Sequence, residues 1–140
     1  MIRELKKTDI DEVAGIWLDT NIKAHDFIPM QYWQDNFNSV KQMFLQAEIY
    51  VFDNDEVIQG FIGLNDNYIA GIFVSDKAQS QGIGKLLLDF VKNRKEELYL
   101  SVYQKNTRAI RFYQREGFEI QSENMDENTE EKEYVMIWKK

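Results

Sequence analysis

Between residues 68 and 103 an apolar run, a glycine-bearing turn, an amphipathic stretch and a second apolar run follow one another, and few folds accept that order. Tyr68 to Val74 and Glu97 to Tyr103 are apolar or small on both faces. Strands of that kind belong in the middle of a sheet covered on both sides. Between them, Ile83, Leu87, Phe90 and Val91 mark one face of a helix whose pattern covers Lys85 to Lys95. Two strands joined through such a crossover lie parallel. The rest of the chain has to assemble around that parallel pair.

The flanking segments supply the other elements. Ile2 to Leu5 reads as a short strand. Thr8, with Asp11 three residues on, marks a helix start. Ile10, Val13, Trp17 and Thr20 carry that helix to about Ala24, and Pro29 interrupts the pattern. A second helix covers Gln31 to Gln46, with Trp33, Phe37, Val40, Met43 and Phe44 facing inward. Glu48 to Phe52 and Val57 to Leu64 flank the turn signal Asp53-Asn54-Asp55 and form a hairpin. Gly60 and Gly63 within it suggest a bulge or a close backbone approach. Asn106 caps a further helix that Gly117 ends. Phe118 to Glu123 and Tyr134 to Trp138 are the last strands, joined by a polar, acidic loop, Asn124 to Lys132, whose charges are expected to be solvated. The expected architecture is one α/β domain over residues 1–140, in the order β-α-α-β-β-β-α-β-α-β-β, with a mixed sheet of about seven strands and about four helices.

Composition narrows the function. An apolar fraction of 44% with 14% aromatics is that of a globular chain. A formal charge of -7 argues against nucleic acid or an anionic membrane surface as the main partner. With no cysteine, disulfides, thiolate metal sites and a cysteine nucleophile are excluded. The first residues lack the apolar core of a signal peptide, and no stretch approaches the ~20 apolar residues of a spanning helix. The expectation is a soluble cytoplasmic monomer or homodimer.

Gln79-Ser80-Gln81-Gly82-Ile83-Gly84 is the first stretch with chemical content. Glycines let a backbone approach a ligand closely, and free amides at a helix start attract an anion. On these residues alone a plain left-handed connection is an equal reading. A Walker loop needs a hydroxyl residue where Leu86 stands, and a dinucleotide fingerprint needs a third glycine near Leu87. A single histidine, His25, and no Gly-x-Ser-x-Gly leave no evident serine triad and no histidine cluster for a metal. The second stretch is Asn106 to Phe118. On a helix, Asn106, Ala109, Ile110 and Tyr113 share a face that could line a slot, although a packing helix with a core tyrosine reads the same way.

Together, Gln-x-x-Gly-x-Gly and, some twenty residues on, Asn-x-x-Ala-x-x-Phe-Tyr-x-x-x-Gly-Phe resemble the GNAT superfamily of N-acetyltransferases. The element order resembles that fold over nearly the whole chain. Ala24-His25-Asp26-Phe27-Ile28-Pro29, with Tyr32-Trp33, is similar to a small bacterial subgroup. The resemblance implies direct acetyl transfer from acetyl-CoA to an amine, small or on a protein. It implies a pyrophosphate cradle of Gln79, Gln81, Gly82, Ile83, Gly84, Lys85 and Leu86. It implies backbone pairing of Ile72, Phe73 and Val74 with the pantetheine arm, Asn106 bonded to that arm with Ala109 leaving it room, and Tyr113 beside the thioester as general acid. The family's usual strand glutamate is missing from Tyr68 to Val74. His25 is the candidate substitute base, set against a structural histidine. Trp33, Tyr68 and Tyr103 are candidate walls of the acceptor pocket, set against core aromatics. Without the glutamate, a non-catalytic acyl-CoA sensor is the alternative.

Overall fold

Each apolar run becomes an element in the expected order. The computed structural model describes residues 1–55 and 57–140. The strands are β1 (Ile2–Glu4), β2 (Glu48–Asp53), β3 (Ile58–Asn65), β4 (Tyr68–Val74), β5 (Glu97–Tyr103), β6 (Glu119–Asp126) and β7 (Glu131–Lys139). The helices are α1 (Ile10–Ala24), α2 (Met30–Phe44), α3 (Ile83–Lys92) and α4 (Thr107–Arg115). The described strands form one sheet in the order β1-β2-β3-β4-β5-β7-β6. β4 and β5 are parallel and every other neighbouring pair is antiparallel.

The core lies on both sides of this sheet. Phe61 and Ile62 are neighbours in β3, point to opposite faces and are both fully buried. Phe61 joins Val13, Trp17, Trp33, Val40 and Val51 beneath α1 and α2. Ile62 joins Ile69, Leu87, Leu88, Val91, Leu100 and Met136 beneath α3 and α4. At ~1.5–3 kcal/mol for each large apolar side chain buried, these layers outweigh any local preference at the element ends.

Several boundaries differ from expectation for identifiable reasons. α1 starts after a 3₁₀ turn, Lys7–Asp9. The Asp9 carboxylate, not Thr8, accepts the Lys6 amide at 2.8 Å. The same carboxylate takes two bonds from the Arg3 guanidinium, which holds it below its usual pKa. α2 ends at Phe44, and Met43 is 64% exposed rather than inward. The loop expected over Asn124 to Lys132 shrinks, because Asn124 pairs with Glu133, Met125 with Lys132 and Asp126 with Glu131. β6 is exposed along almost its whole length, so no apolar alternation announces its end.

β3 and β4 contain two features that shape the site. A Cβ built on Gly60 would stand 2.8 Å from the Phe73 carbonyl oxygen, a backbone atom that cannot step aside. Gly60 is therefore the close approach, whereas Gly63 adjoins a bulge. Gly63 pairs with Gly71 and Leu64 with Ile69, leaving Ala70 as the extra residue. A bulge bends its strand, and this one sits where β4 leaves β5. Gly60→Ala is expected to destabilise the fold by ~1–3 kcal/mol, seen as a lower urea midpoint with an unchanged m-value. A midpoint equal to wild type would show that the strand pair absorbs the methyl.

Candidate active site

β4 and β5 meet at only two positions, Tyr68 with Tyr99 and Ile69 with Leu100. Beyond these, β4 continues on β3 to Val74 and β5 on β7 to Tyr103, so the sheet opens into a V. The Ser75 amide donates to the Gln59 carbonyl at 2.9 Å, which sets the alternation of the β3–β4 ladder. By that alternation Phe73 turns its peptide groups toward β3. Ile72 and Val74 turn theirs toward the opening, where the Gln79 side-chain Nε2 donates to the Val74 carbonyl at 3.0 Å.

At the wide end of the V lies the glycine turn. Ser80 and Gly82 are both left-handed, with φ of 66° and 80°, and Gly82 caps α3. Left-handed residues in such a turn arrange successive amides into an anion-binding concavity. The Leu86 amide already donates to the Gly82 carbonyl at 3.0 Å. The amides of Ile83, Gly84 and Lys85 belong to the first turn and have no intrahelical acceptor. Leu86 thus contributes its position more than its amide. The Ile83 side chain is buried in the core. Lys85 is exposed and its ammonium bonds Asp89 at 3.2 Å and Glu116 at 3.0 Å, which raises its pKa, Glu116 contributing most. The Gln81 side chain lies outside the turn, 3.5 Å from the Lys77 carbonyl.

On the other arm of the V stands α4. Asn106 caps it, its Oδ1 accepting from the Ala109 amide at 3.2 Å. The far end is a Schellman closure. Phe118 donates to the Tyr113 carbonyl at 2.9 Å and Gly117, at φ 93°, to the Gln114 carbonyl at 3.1 Å. The Tyr113 and Phe118 rings meet edge-on at 5.5 Å and clamp that closure. Tyr113 is 8% exposed, and its hydroxyl makes no hydrogen bond to another described residue. Burial, with a smaller contribution from Tyr68, raises its pKa above the ordinary phenol value. The side chain stays protonated throughout the neutral range.

His25 reaches the same arm from the end of α1. Its Nε2 lies 3.1 Å from Asn106 Nδ2 and its Nδ1 3.1 Å from Asn21 Oδ1. The ring stacks on Trp33 and meets Tyr103 and Phe27 edge-on. Burial pushes its pKa down to about 4. Both nitrogens are engaged, and a group so weakly basic is a poor sink for an ammonium proton, so this geometry does not favour the base role. Trp33 is 6% exposed, belongs to the core and backs His25 instead of walling a pocket. Its indole N–H is buried with no partner among the described residues. Tyr68 packs on Tyr99 at 5.1 Å, at the closed end of the V.

Tyr103 alone of the candidate walls reaches toward the β6–β7 turn, its hydroxyl donating to Asp126 at 2.6 Å. That bond corrects the expectation of merely solvated charges there. Glu133, whose pKa is raised by burial and then by Asp126, pairs across from Tyr103. A cavity of about 320 Å³ lies between Phe27, Ile28, Pro29 and Tyr32 on one side and Glu127 to Glu130, in the β6–β7 turn, on the other. Sequence reasoning missed Asn21, Asp126 and Glu133. Asn21 was findable, since it stands four residues before His25 on one helix face. The other two depend on strand register. Among the described residues no group of three or more His, Cys, Asp or Glu is placed to hold a metal, and no helix is long and apolar enough to cross a membrane.

Residues 46–120 match the family model described as "Acetyltransferase (GNAT) domain". The peptidyl-lysine N-acetyltransferase YiaC of Escherichia coli (strain K12) is 35% identical over 140 residues, 99% of this chain and 96% of the relative. The peptidyl-lysine N-acetyltransferase YjaB of Salmonella typhimurium is 27% identical over 121 residues, 85% of this chain and 83% of the relative. Among solved structures, apo YjaB from Escherichia coli superposes with a TM-score of 0.87 at 21% identity, covering 98% of this chain and 95% of that one. The PaiA N-acetyltransferase of Thermoplasma acidophilum, in complex with coenzyme A, gives 0.81 at 17% identity, covering 100% and 98%. These two likenesses show the fold. The chain belongs to the GNAT acetyltransferase family. It is an acetyl-CoA-dependent N-acetyltransferase.

Proposed function

We propose that the acceptor is the ε-amine of a lysine in a protein or peptide, acetylated in the cytoplasm. The observation that carries this reading is the 35% identity with a peptidyl-lysine N-acetyltransferase across 99% of the chain. The geometry supports it. The free amides of Ile83, Gly84 and Lys85, with Gln79, Gln81, Gly82 and Leu86 shaping the turn, suit the pyrophosphate of acetyl-CoA. The peptide groups of Ile72 and Val74 suit the amide-bearing arm as an added strand would, and Phe73 fixes their register on β3. Asn106 and the small Ala109 form the opposite wall.

On the acceptor side, Glu127 and Glu130, which line the cavity, attract a cationic side chain. A lysine amine, with pKa ~10.4, must lose a proton before it attacks. Water in the open cavity takes that proton. The amine nitrogen bonds the acetyl carbon, the carbon–sulfur bond breaks, the departing thiolate takes the Tyr113 hydroxyl proton, and the proton shed by the new amide nitrogen returns through solvent to restore the phenol. The Val74 amide is placed to polarise the thioester carbonyl.

The test is acceptor-dependent release of CoA thiol from acetyl-CoA with a panel of lysine peptides, free amines and no acceptor. Release with lysine peptides, and mass-spectrometric location of the acetyl group on Nε, is the expected result. Release only with small amines would overturn the acceptor assignment.

A further inference from the structure

The Asn106 side chain has its amide orientation fixed by a backbone donor. Its Oδ1 accepts from the Ala109 N–H, so Nδ2 is the end that faces His25 Nε2 at 3.1 Å. An amide nitrogen only donates, so Nε2 must offer its lone pair. The imidazole proton then sits on Nδ1, opposite Asn21 Oδ1 at 3.1 Å. Asn21 is oriented by a different backbone group, since its Nδ2 donates to the Trp17 carbonyl at 2.9 Å. Two amides, each fixed independently, demand the same neutral tautomer. Asn21 is 5% exposed, and Trp33, Tyr103 and Phe27 hold the ring from three sides.

From this juxtaposition we infer that Asn21 and His25 are positioning residues for Asn106. The chain from the Trp17 carbonyl through Asn21 and His25 fixes the Asn106 rotamer and leaves one Nδ2 hydrogen free for the acyl donor. The inference rests on the reading that Asn106 borders the donor site. It also accounts for a histidine in a place where it cannot serve well as the base. Removing a proton from an amine through Nε2 would first require breaking the bond to Asn106, and the protonated ring would then face the Asn106 amide donor to donor.

His25 is the only histidine in the chain, so its ring nitrogens can be read by ¹⁵N NMR without assignment by mutation. The expected spectrum of the intact protein at neutral pH is the Nδ1–H tautomer. His25→Gln keeps an acceptor near the Nε2 position and is expected to hold the KM for acetyl-CoA within ~3-fold of wild type. His25→Phe keeps the ring packing and loses both bonds. Its KM is expected to rise about tenfold, with kcat at saturating acetyl-CoA changed far less. An Nε2–H tautomer would overturn the inference. So would a His25→Phe enzyme with unchanged KM, or a loss confined to kcat, which is the mark of a base. If His25→Phe does not fold, the tautomer and the Gln variant decide. Asn106→Ala tests the underlying reading separately, because an unchanged KM for acetyl-CoA there overturns the donor-site assignment whatever tautomer His25 shows.

Discussion

Tyr113→Phe is expected to lower kcat by about 10²–10⁴-fold while the affinity for acetyl-CoA stays close to wild type. The hydroxyl is the only group removed, and it bonds no described residue of the fold. The ring keeps its edge contacts with Phe112 and Phe118, and the Schellman closure at Gly117 uses backbone groups alone. Stability should therefore change by no more than ~0.5 kcal/mol. In the proposed mechanism, what is lost is a proton donor at the leaving sulfur. Burial holds the Tyr113 phenol above its ordinary pKa, so the donor form persists at every neutral pH. Its ionisation should contribute no alkaline fall in rate below pH ~10. Stopped-flow or steady-state thiol release, paired with calorimetric titration of acetyl-CoA, measures both quantities. A fully active Tyr113→Phe enzyme would make the hydroxyl dispensable and leave the thiolate to solvent.

Gly84→Glu is expected to weaken acetyl-CoA binding by about 100-fold or more. A Cβ on Gly84 would meet Phe112 Cζ at 3.6 Å and Ile72 Cγ2 at 3.9 Å, ordinary contact distances. Alanine therefore fits, and Gly84→Ala serves as the folded control. A glutamate projects its carboxylate from the first turn of α3, beside the amides that suit the pyrophosphate. Two negative charges ~4 Å apart repel by a few kcal/mol at a protein surface, which is a hundredfold or more in affinity. Calorimetry reads the affinity, and thermal unfolding with and without acetyl-CoA confirms that the variant is folded but unprotected. Unchanged affinity would move the phosphate site away from this turn.

How much of this was legible in the sequence depended on where side chains face. β4, α3 and β5 could be read because burial on both faces writes itself as continuous apolar runs, and Asn106 and Gly117 are cap residues whose roles follow from backbone geometry. The Tyr113 helix face followed from spacing. The side proposed for the acceptor was obscure for a physical reason. β6 is buried on neither face, so Asn124 to Asp126 carry no apolar period, and their pairing with β7 comes from register rather than pattern. The Asp126 bond to Tyr103 depends on that register. Trp33 stood open between two readings, since a large aromatic at a helical position reads alike whether it walls a pocket or fills a core. His25 was legible as a candidate base set against a structural histidine, but its contact with Asn106, 81 positions away in the chain, could not be read from spacing.

The strand order has a consequence for synthesis. β7 is made after β6 yet lies inside it, between β5 and β6. As the chain emerges from the ribosome at ~5–20 residues per second, α3, the glycine turn and α4 are complete while β5 still has a bare outer edge. β6 cannot take that edge without blocking the strand that must follow. Only when residues 131–139 arrive does β5 gain its register partner, and only then does Trp138 come to rest beside Gly117, past the end of α4, and Lys92, the last residue of α3. The β5 arm of the V thus gains its outer partner from a strand made later, and a nascent chain that still lacks β7 carries the glycine turn and α4 without that part of the sheet.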